Sequence, residues 1–183
     1  MRNLIAAALC TLAAPLSAAG LDVTVSGEGA NGTFHIDLFE DVAPNHVAQI
    51  TALAEEGAYD GVAFHRVIDG FMAQTGDVQH GKIGSDMRMA GMGGSDRPDL
   101  EAEFSDRDFG RGVVGMARSQ NPNSANSQFF IMFAPAPHLN GQYTVVGEVT
   151  SGMDVVEQIK RGTGRNGAVV GQPDQMATVT VTE

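Results

Sequence analysis

The sequence predicts a mainly β domain, a closed eight-stranded antiparallel barrel whose open ends are capped by two α-helices. Three observations lead there. Short runs rich in valine, isoleucine, phenylalanine and threonine recur along the chain between clusters of glycine, asparagine and aspartate. Only two stretches carry apolar residues at helical spacing. Eight strands suffice to close a barrel whose interior side chains can fill, and 183 residues supply one full core without a second domain.

The first nineteen residues stand apart from that pattern. Met1-Arg2 begins with positive charge, Leu4 to Leu16 is apolar and rich in alanine, and Ser17-Ala18-Ala19 supplies small residues. This is the layout of a secretory signal over residues 1–19, cut after Ala19. Pro15 interrupts the apolar run, which falls short of the roughly 20 residues a membrane span needs. The domain proper is then 20–183, periplasmic or secreted, with no membrane insertion once the signal is removed. Cys10, the only cysteine, lies inside the signal behind Leu9 rather than a small residue. The remaining chain has no disulfide to draw on, although export would permit one.

The first strand is Leu21 to Ser26, followed by a turn over Gly27 to Gly32 in which Asn31-Gly32 is a hairpin signal. Thr33 to Phe39 alternates, with Phe34, Ile36 and Leu38 on one face. A helix over Pro44 to Glu56 opens on proline and stops at Gly57, with a stripe of Val47, Ile50, Leu53 and Ala54. Val62 to Val67 and Phe71 to Thr75 are the next strands, then Gly112 to Ala117, Ser127 to Phe133, Tyr143 to Val149 and Met176 to Thr182. Ser151 to Lys160 is the second helix, with Met153, Val156 and Ile159 on one side and Gly162 as its stop. Residues 78–111 read as a long connection, of a length that carries function or is held down locally.

Composition and motif spacing narrow the chemistry. The chain has 11 Lys and Arg against 22 Asp and Glu, a net charge of −11 that becomes −12 without Arg2. That argues against nucleic acid and anionic membrane surfaces as partners. Gly27 to Gly32 fits GxGxxG, but a strand follows it, so it reads as a turn and not a dinucleotide site. Met87, Met89 and Met92 have no cysteine or histidine among them and read as loop packing, not a copper(I) site. The five histidines show no metal-binding spacing, and there is no GxSxG elbow. No metal and no cofactor is expected.

The densest information lies in Phe64 to Asp77. If it forms two strands turned at Asp69-Gly70, then Arg66, Phe71 and Gln74 converge on one apolar surface holding a single cation. Such a surface, without nucleophile or metal cage, suits chemistry in which no covalent bond changes. Phe129 and Phe130 are neighbours in a strand and must face opposite ways.

Phe64 to Asp77, Gly112 to Ala117, Asn126 to Ile131 and Leu139 to Gly147 together resemble the cyclophilins, peptidyl-prolyl cis-trans isomerases, and look closest to the bacterial exported branch. The likeness runs from about Phe34 to the C-terminus. It implies an eight-stranded barrel with two helices, in agreement with the element count. It implies a catalytic Arg66 oriented by Gln74, a proline pocket lined by Phe71, Met72, Phe130 and Leu139, and peptide contacts from Ala117, Arg118 and Gln128. His138 and Tyr143 complete the implied substrate surface. They depart from the tryptophan and histidine of eukaryotic relatives, which implies weaker sensitivity to cyclosporin. Arg118 replaces a frequent asparagine, and Asp69 a frequent turn proline. The implied partners are proline-containing unfolded or partly folded polypeptides, and the expected state is a monomer. The alternative is a module that holds proline segments in the same groove with little turnover.

Overall fold

The computed structural model describes residues 19–183, so the expected signal segment lies, Ala19 apart, outside the described residues. The elements in chain order are β1 (Gly20–Ser26), β2 (Gly32–Leu38), α1 (Pro44–Glu55), β3 (Val62–Ala63), β4 (Arg66–Ile68), β5 (Met72–Thr75), β6 (Val113–Met116), β7 (Phe129–Met132), β8 (Val145–Ser151), α2 (Met153–Gln158) and β9 (Gln175–Thr182). The strands form one antiparallel sheet in the order β3-β9-β1-β2-β8-β6-β7-β5-β4.

There are nine strands where eight were expected, because Val62 to Val67 does not form one strand. Its first part, β3, pairs with β9, and its last part, β4, pairs with β5. Phe64 and His65 cross between them, and those two strands are the two edges of the sheet. An extended chain covers at most about 3.6 Å per residue, so Ala63 and Arg66 stand within about 11 Å. The sheet therefore curls, and no ladder joins β3 to β4, so it is a curled nine-stranded sheet and not the closed eight-stranded barrel expected. Two of the backbone groups in the crossing are paired: the Phe64 N–H donates to Asp174 C=O at 2.9 Å, and His65 C=O accepts from Val169 N–H at 3.0 Å.

Alternation is legible in the packing. Phe34, Ile36 and Leu38 on β2 and Leu21, Val23 and Val25 on β1 are buried in one apolar core. The stripe Val47, Ile50, Leu53 and Ala54 of α1 closes on it, with His46 and Gln49 buried as well. A second, smaller core gathers Met72, Phe109, Phe130, Met132, Leu139 and Val145. Phe129 and Phe130 do split as the strand period requires. Phe129 packs edge-on against Tyr59 in the first core, and Phe130 stacks on Phe109 in the second.

Two carboxylates with no exposure organise the loops. Asp174 accepts from Gly29 N–H, Ala30 N–H and Lys160 N–H, which pins the β1–β2 turn and ends α2 early. The second helix stops at Gln158 instead of Lys160 because the Lys160 N–H goes to Asp174 and not to a helical carbonyl. Its start also shifts: Ser151 belongs to β8, and Gly152 at φ 75 turns the corner where a Cβ would meet Thr33 O at 2.4 Å. Asp77 accepts from Gln79, His80, Gly91 and Gly93 N–H at 2.7–3.1 Å, which ties down the connection after β5. Met89 and Met92 in that connection are exposed, so the methionine cluster is not the packed loop the sequence suggested.

The long connection also caps a helix. The residue preceding α1, Ala43, has no side chain able to accept from the first-turn N–H groups. Glu103 does so from 57 positions further on: its Oε1 accepts from Asn45 N–H at 3.2 Å and its Oε2 from His46 N–H at 3.1 Å. The same carboxylate accepts from the Nδ1–H of fully buried His46 at 2.6 Å. Burial pushes the Glu103 carboxyl toward its neutral form, but the bonds from His46 and Asn45 outweigh it and hold the carboxyl below its usual range. Glu103→Ala should therefore cost about 2–3 kcal/mol, a lost cap plus an orphaned buried donor. Urea unfolding at pH 7 checks this. The folded carboxyl is the more acidic, so its contribution is present above the unfolded value near ~4.3 and is lost as pH falls through the folded value. The gap between wild type and variant should close on acidification, and an equal gap at pH 7 and pH 3 would contradict the account.

Candidate functional site

One row of paired residues builds the site. Arg66 on β4 stands directly opposite Gln74 on β5, Gln74 opposite Phe130 on β7, and Phe130 opposite Gly115 on β6. Opposed residues project from the same face of a sheet, so this register alone brings guanidinium, amide and phenyl ring together. Met72 lies two residues from Gln74 and shares its face. The turn between β4 and β5 falls at Asp69-Gly70, with Gly70 at φ 66, and delivers Phe71 to the same end. Gly115 is the flat member of the row. A Cβ there would meet Phe109 and Phe130 ring atoms at 2.6 Å, so glycine permits the ring stack that forms the floor.

Arg66 is half-buried and held from two sides. Its Nε–H donates to Asn166 C=O at 2.9 Å and its Nη1–H to Gln74 Oε1 at 3.1 Å. The Gln74 amide then donates to Gln128 Oε1 at 2.9 Å, and the Gln128 amide to Gly93 C=O at 2.8 Å. The direction of this relay is forced. A guanidinium can only donate and a backbone carbonyl can only accept, so both amides have one permitted orientation. Burial favours the neutral form of Arg66 and draws its pKa below the usual guanidinium value, while the nearby Tyr143 pulls it back up. Arginine stays charged in either case.

Beside Arg66 lies a cavity of about 170 Å³ lined by Arg66, Phe71, Met72, Gln74, Ala117, Arg118, Phe130, Leu139 and Tyr143. Nine of the residues singled out in the sequence thus meet around one space. Gln128 lines a second cavity of about 360 Å³, next to the first and sharing Gln74, Ala117 and Arg118 with it. His138 lines neither. It is exposed, with its ring stacked on Phe71 at 5.9 Å and 24°. Tyr143 stands edge-on to Phe130 and beneath the Arg118 guanidinium. Asp69, in the turn, is paired with Arg161 at 2.9 Å.

Sequence reasoning missed Asn166, Gly91, Met92, Gly93, Ser119, Ser124 and Asn126. Asn166 acts through its carbonyl, in a left-handed turn at φ 56 docked beside β4. An asparagine-glycine pair was the available signal, since those residues favour that conformation. Gly93 also acts through a carbonyl, and nothing local marks it. Among the described residues, no three His, Cys, Asp or Glu side chains are grouped to hold a metal ion. No helix among them is long and apolar enough to cross a membrane.

Comparison with known proteins agrees with this fold. The family model described as cyclophilin type peptidyl-prolyl cis-trans isomerase/CLD matches residues 21–181. A probable peptidyl-prolyl cis-trans isomerase of Brucella suis biovar 1 is 58% identical over 167 residues, covering 90% of this chain and 85% of its own. A peptidyl-prolyl cis-trans isomerase-like 1 protein of Aspergillus oryzae is 37% identical over 136 residues, covering 74% of this chain and 80% of its own. The crystal structure of a cyclophilin from Hirschia baltica superposes with a TM-score of 0.71 at 25% identity, over 88% of this chain and 73% of that one. A Cryptosporidium parvum cyclophilin-type isomerase, crystallised in the presence of the dipeptide Ala-Pro, superposes with a TM-score of 0.73 at 24% identity, over 90% and 99%.

Next to Arg66 in the chain, His65 is buried under Gly91, where a Cβ would meet its Nε2 at 2.9 Å. Burial pushes its imidazole below the ordinary range, against the opposing pull of the Asp77 charge, with Arg66 adding to the depression. The unfolded chain therefore binds more protons below about pH 6.5, and stability should be complete above that value and fall as pH drops toward the folded one. Stability from urea unfolding between pH 7 and pH 5 should decline more steeply in wild type than in His65→Gln. Parallel slopes would show that another group governs this window.

Proposed function

The chain belongs to the cyclophilin-type peptidyl-prolyl cis-trans isomerases, and we propose that it turns over X-Pro bonds of exported, partly unfolded polypeptides through Arg66. Rotation about a peptide bond meets a barrier of about 18–20 kcal/mol, because the nitrogen lone pair is shared with the carbonyl. X-Pro bonds populate both isomers yet exchange over tens to hundreds of seconds. Twisting localises the lone pair on the proline nitrogen. A donor aimed there binds the twisted state better than either planar one, and that difference is catalysis. Each ~1.4 kcal/mol gained is tenfold in rate.

The observation that carries the reading is the state of Arg66. Its charge is neutralised by no carboxylate among the described residues, and its geometry is held by Asn166 and Gln74 before any substrate arrives. A donor positioned in advance beside a cavity walled by Phe71, Met72, Phe130 and Leu139 needs no reorganisation as the bond twists. Phe71, Met72, Phe130 and Leu139 hold the proline ring still while the preceding carbonyl turns. Gln74 keeps the guanidinium in place, and Ala117, Arg118 and Gln128 flank the peptide backbone. Tyr143 closes the rim, and His138 braces Phe71. The presence of Ala-Pro with a relative of the same fold supports a proline substrate. The apolar N-terminal segment ending in Ser17-Ala18-Ala19 supports export.

Arg66→Ala should keep the unfolding midpoint near wild type and lose about 10²–10³ in kcat/KM, the scale of one electrostatic donor. Arg66→Lys should also be poor, since an ammonium cannot bond Asn166 and Gln74 at once as the planar fork does. A protease-coupled or fluorescence assay on a short X-Pro peptide reads both. A folded Arg66→Ala variant with unchanged kcat/KM overturns the mechanism. Export has its own readout: the N-terminus of the protein recovered from the producing cell should begin at Gly20. A product retaining Leu4 to Leu16, or acylated at Cys10, would refute it.

A further inference from the structure

The two cavities meet at Arg118. Gln74, Ala117 and Arg118 line both, so Arg118 stands on the ridge between the space beside Arg66 and the space beside Gly91 and Gly93. Among the described residues no acidic side chain lines either cavity; the charged residues there are Arg66 and Arg118. In a chain with twice as many acidic as basic residues, the groove is cationic against the background of the molecule. Two carboxylates close by are already engaged. Asp77 accepts four backbone N–H groups beneath the loop, and Asp99 accepts from the Asn126 amide.

Arg118 is held firmly without being neutralised. Its Nε–H and Nη2–H donate to Gln142 C=O at 3.2 and 2.8 Å, its Nη1–H donates to Ser119 C=O at 2.9 Å, and its guanidinium lies 4.4 Å over the Tyr143 ring. Three of the five N–H groups a guanidinium carries are therefore spent, all on neutral oxygens. Arg111 and Arg161 elsewhere on the surface are each paired with a carboxylate, Glu157 and Asp69. Arg118 makes no such pair among the described residues. A fixed planar cation with two unused donors at the edge of a groove is complementary to a carboxylate.

We propose that Arg118 determines specificity, selecting substrates that carry an aspartate or glutamate within two positions of the isomerised proline. The proposal rests on the reading of the Arg66 cavity as the proline site. An extended chain advances about 3.3–3.6 Å per residue, so residues adjoining the buried ring must cross the Ala117–Arg118 ridge to enter the larger cavity.

The test compares kcat/KM for acetyl-capped, amidated X-Pro peptides with Glu, Gln or Lys placed at each position from two before to two after the proline. At one position at least, the order should be Glu, then Gln, then Lys, with Glu over Lys by about three- to tenfold at low salt, as suits a half-exposed ion pair. The ratio should shrink in 1 M NaCl, where the screening length is about 3 Å. Arg118→Gln should bring the ratio to near one and Arg118→Glu should invert it, with Arg118→Lys between. Arg66→Ala should depress all the peptides without changing their order, so loss of the isomerase reading and loss of this one are distinguishable. A wild-type ratio near one at every position, or a ratio unaltered in a folded Arg118→Gln, overturns the proposal. If the variants fail to fold, the wild-type salt series decides, and a ratio that persists undiminished at 1 M NaCl overturns it equally.

Discussion

The short crossing at Phe64-His65 is the constraint on which the rest of the molecule depends. One segment supplies both edges of a nine-stranded sheet, β3 on one side and β4 on the other. The sheet has no choice but to curl, and its interior face becomes a core that α1 closes. The same crossing leaves Arg66 on an edge strand, with pairing on one side from Gln74 and only a single bridge, to Ala168, on the other. An edge is where a side chain can be anchored by the sheet and still reach solvent. Exposed edges also invite pairing with other chains, and the turn carrying Asn166 covers this one.

Carboxylates do the tying in this fold. Asp174 and Glu103 collect backbone N–H groups from segments far away in sequence, and Asp77 collects them along its own loop. A charge removed from water is costly unless its hydrogen-bonding capacity is met, and a carboxylate meeting several amide donors is a strong case of compensation. The arrangement is also directional. Each carboxylate specifies which N–H groups must arrive, so the loops are placed and not merely restrained. Asp77 acts on the functional groove directly, because two of its donors, Gly91 and Gly93, line the larger cavity.

Legibility in the sequence follows the range of the interaction. Alternation on β2, the apolar stripe of α1 and the opposed faces of Phe129 and Phe130 are properties of neighbours, and they read correctly from the chain. Arg66, Phe71 and Gln74 could be brought together from the Asp69-Gly70 turn alone, since a hairpin fixes register. The break inside Val62 to Val67 could not, because Phe64 and His65 carry no glycine, proline or other turn signal. Only the demand of two different partner strands splits them. The early end of α2 depends on a carboxylate 14 residues away, and the cap of α1 on one 57 residues away. Asn166 and Gly93 contribute carbonyl oxygens, which every residue possesses, so residue type carries almost no information about them.

The polar relay joins these levels. Gly93 C=O sets the orientation of the Gln128 amide, which sets that of Gln74, which presents its oxygen to Arg66. Gly93 is itself placed by Asp77, so the position of the guanidinium is tied to a buried charge through two amides and a loop. Each link has a single permitted polarity, and reversing any amide would set donor against donor at one end and acceptor against acceptor at the other. The cost of one such reversal, on the order of 1–3 kcal/mol per unsatisfied buried group, is enough to keep the relay in one state. A guanidinium on an edge strand has many rotamers, and holding it with hydrogen bonds to Asn166 and Gln74 removes that freedom before substrate binds. The ordering is completed during folding, so the binding step does not have to supply it.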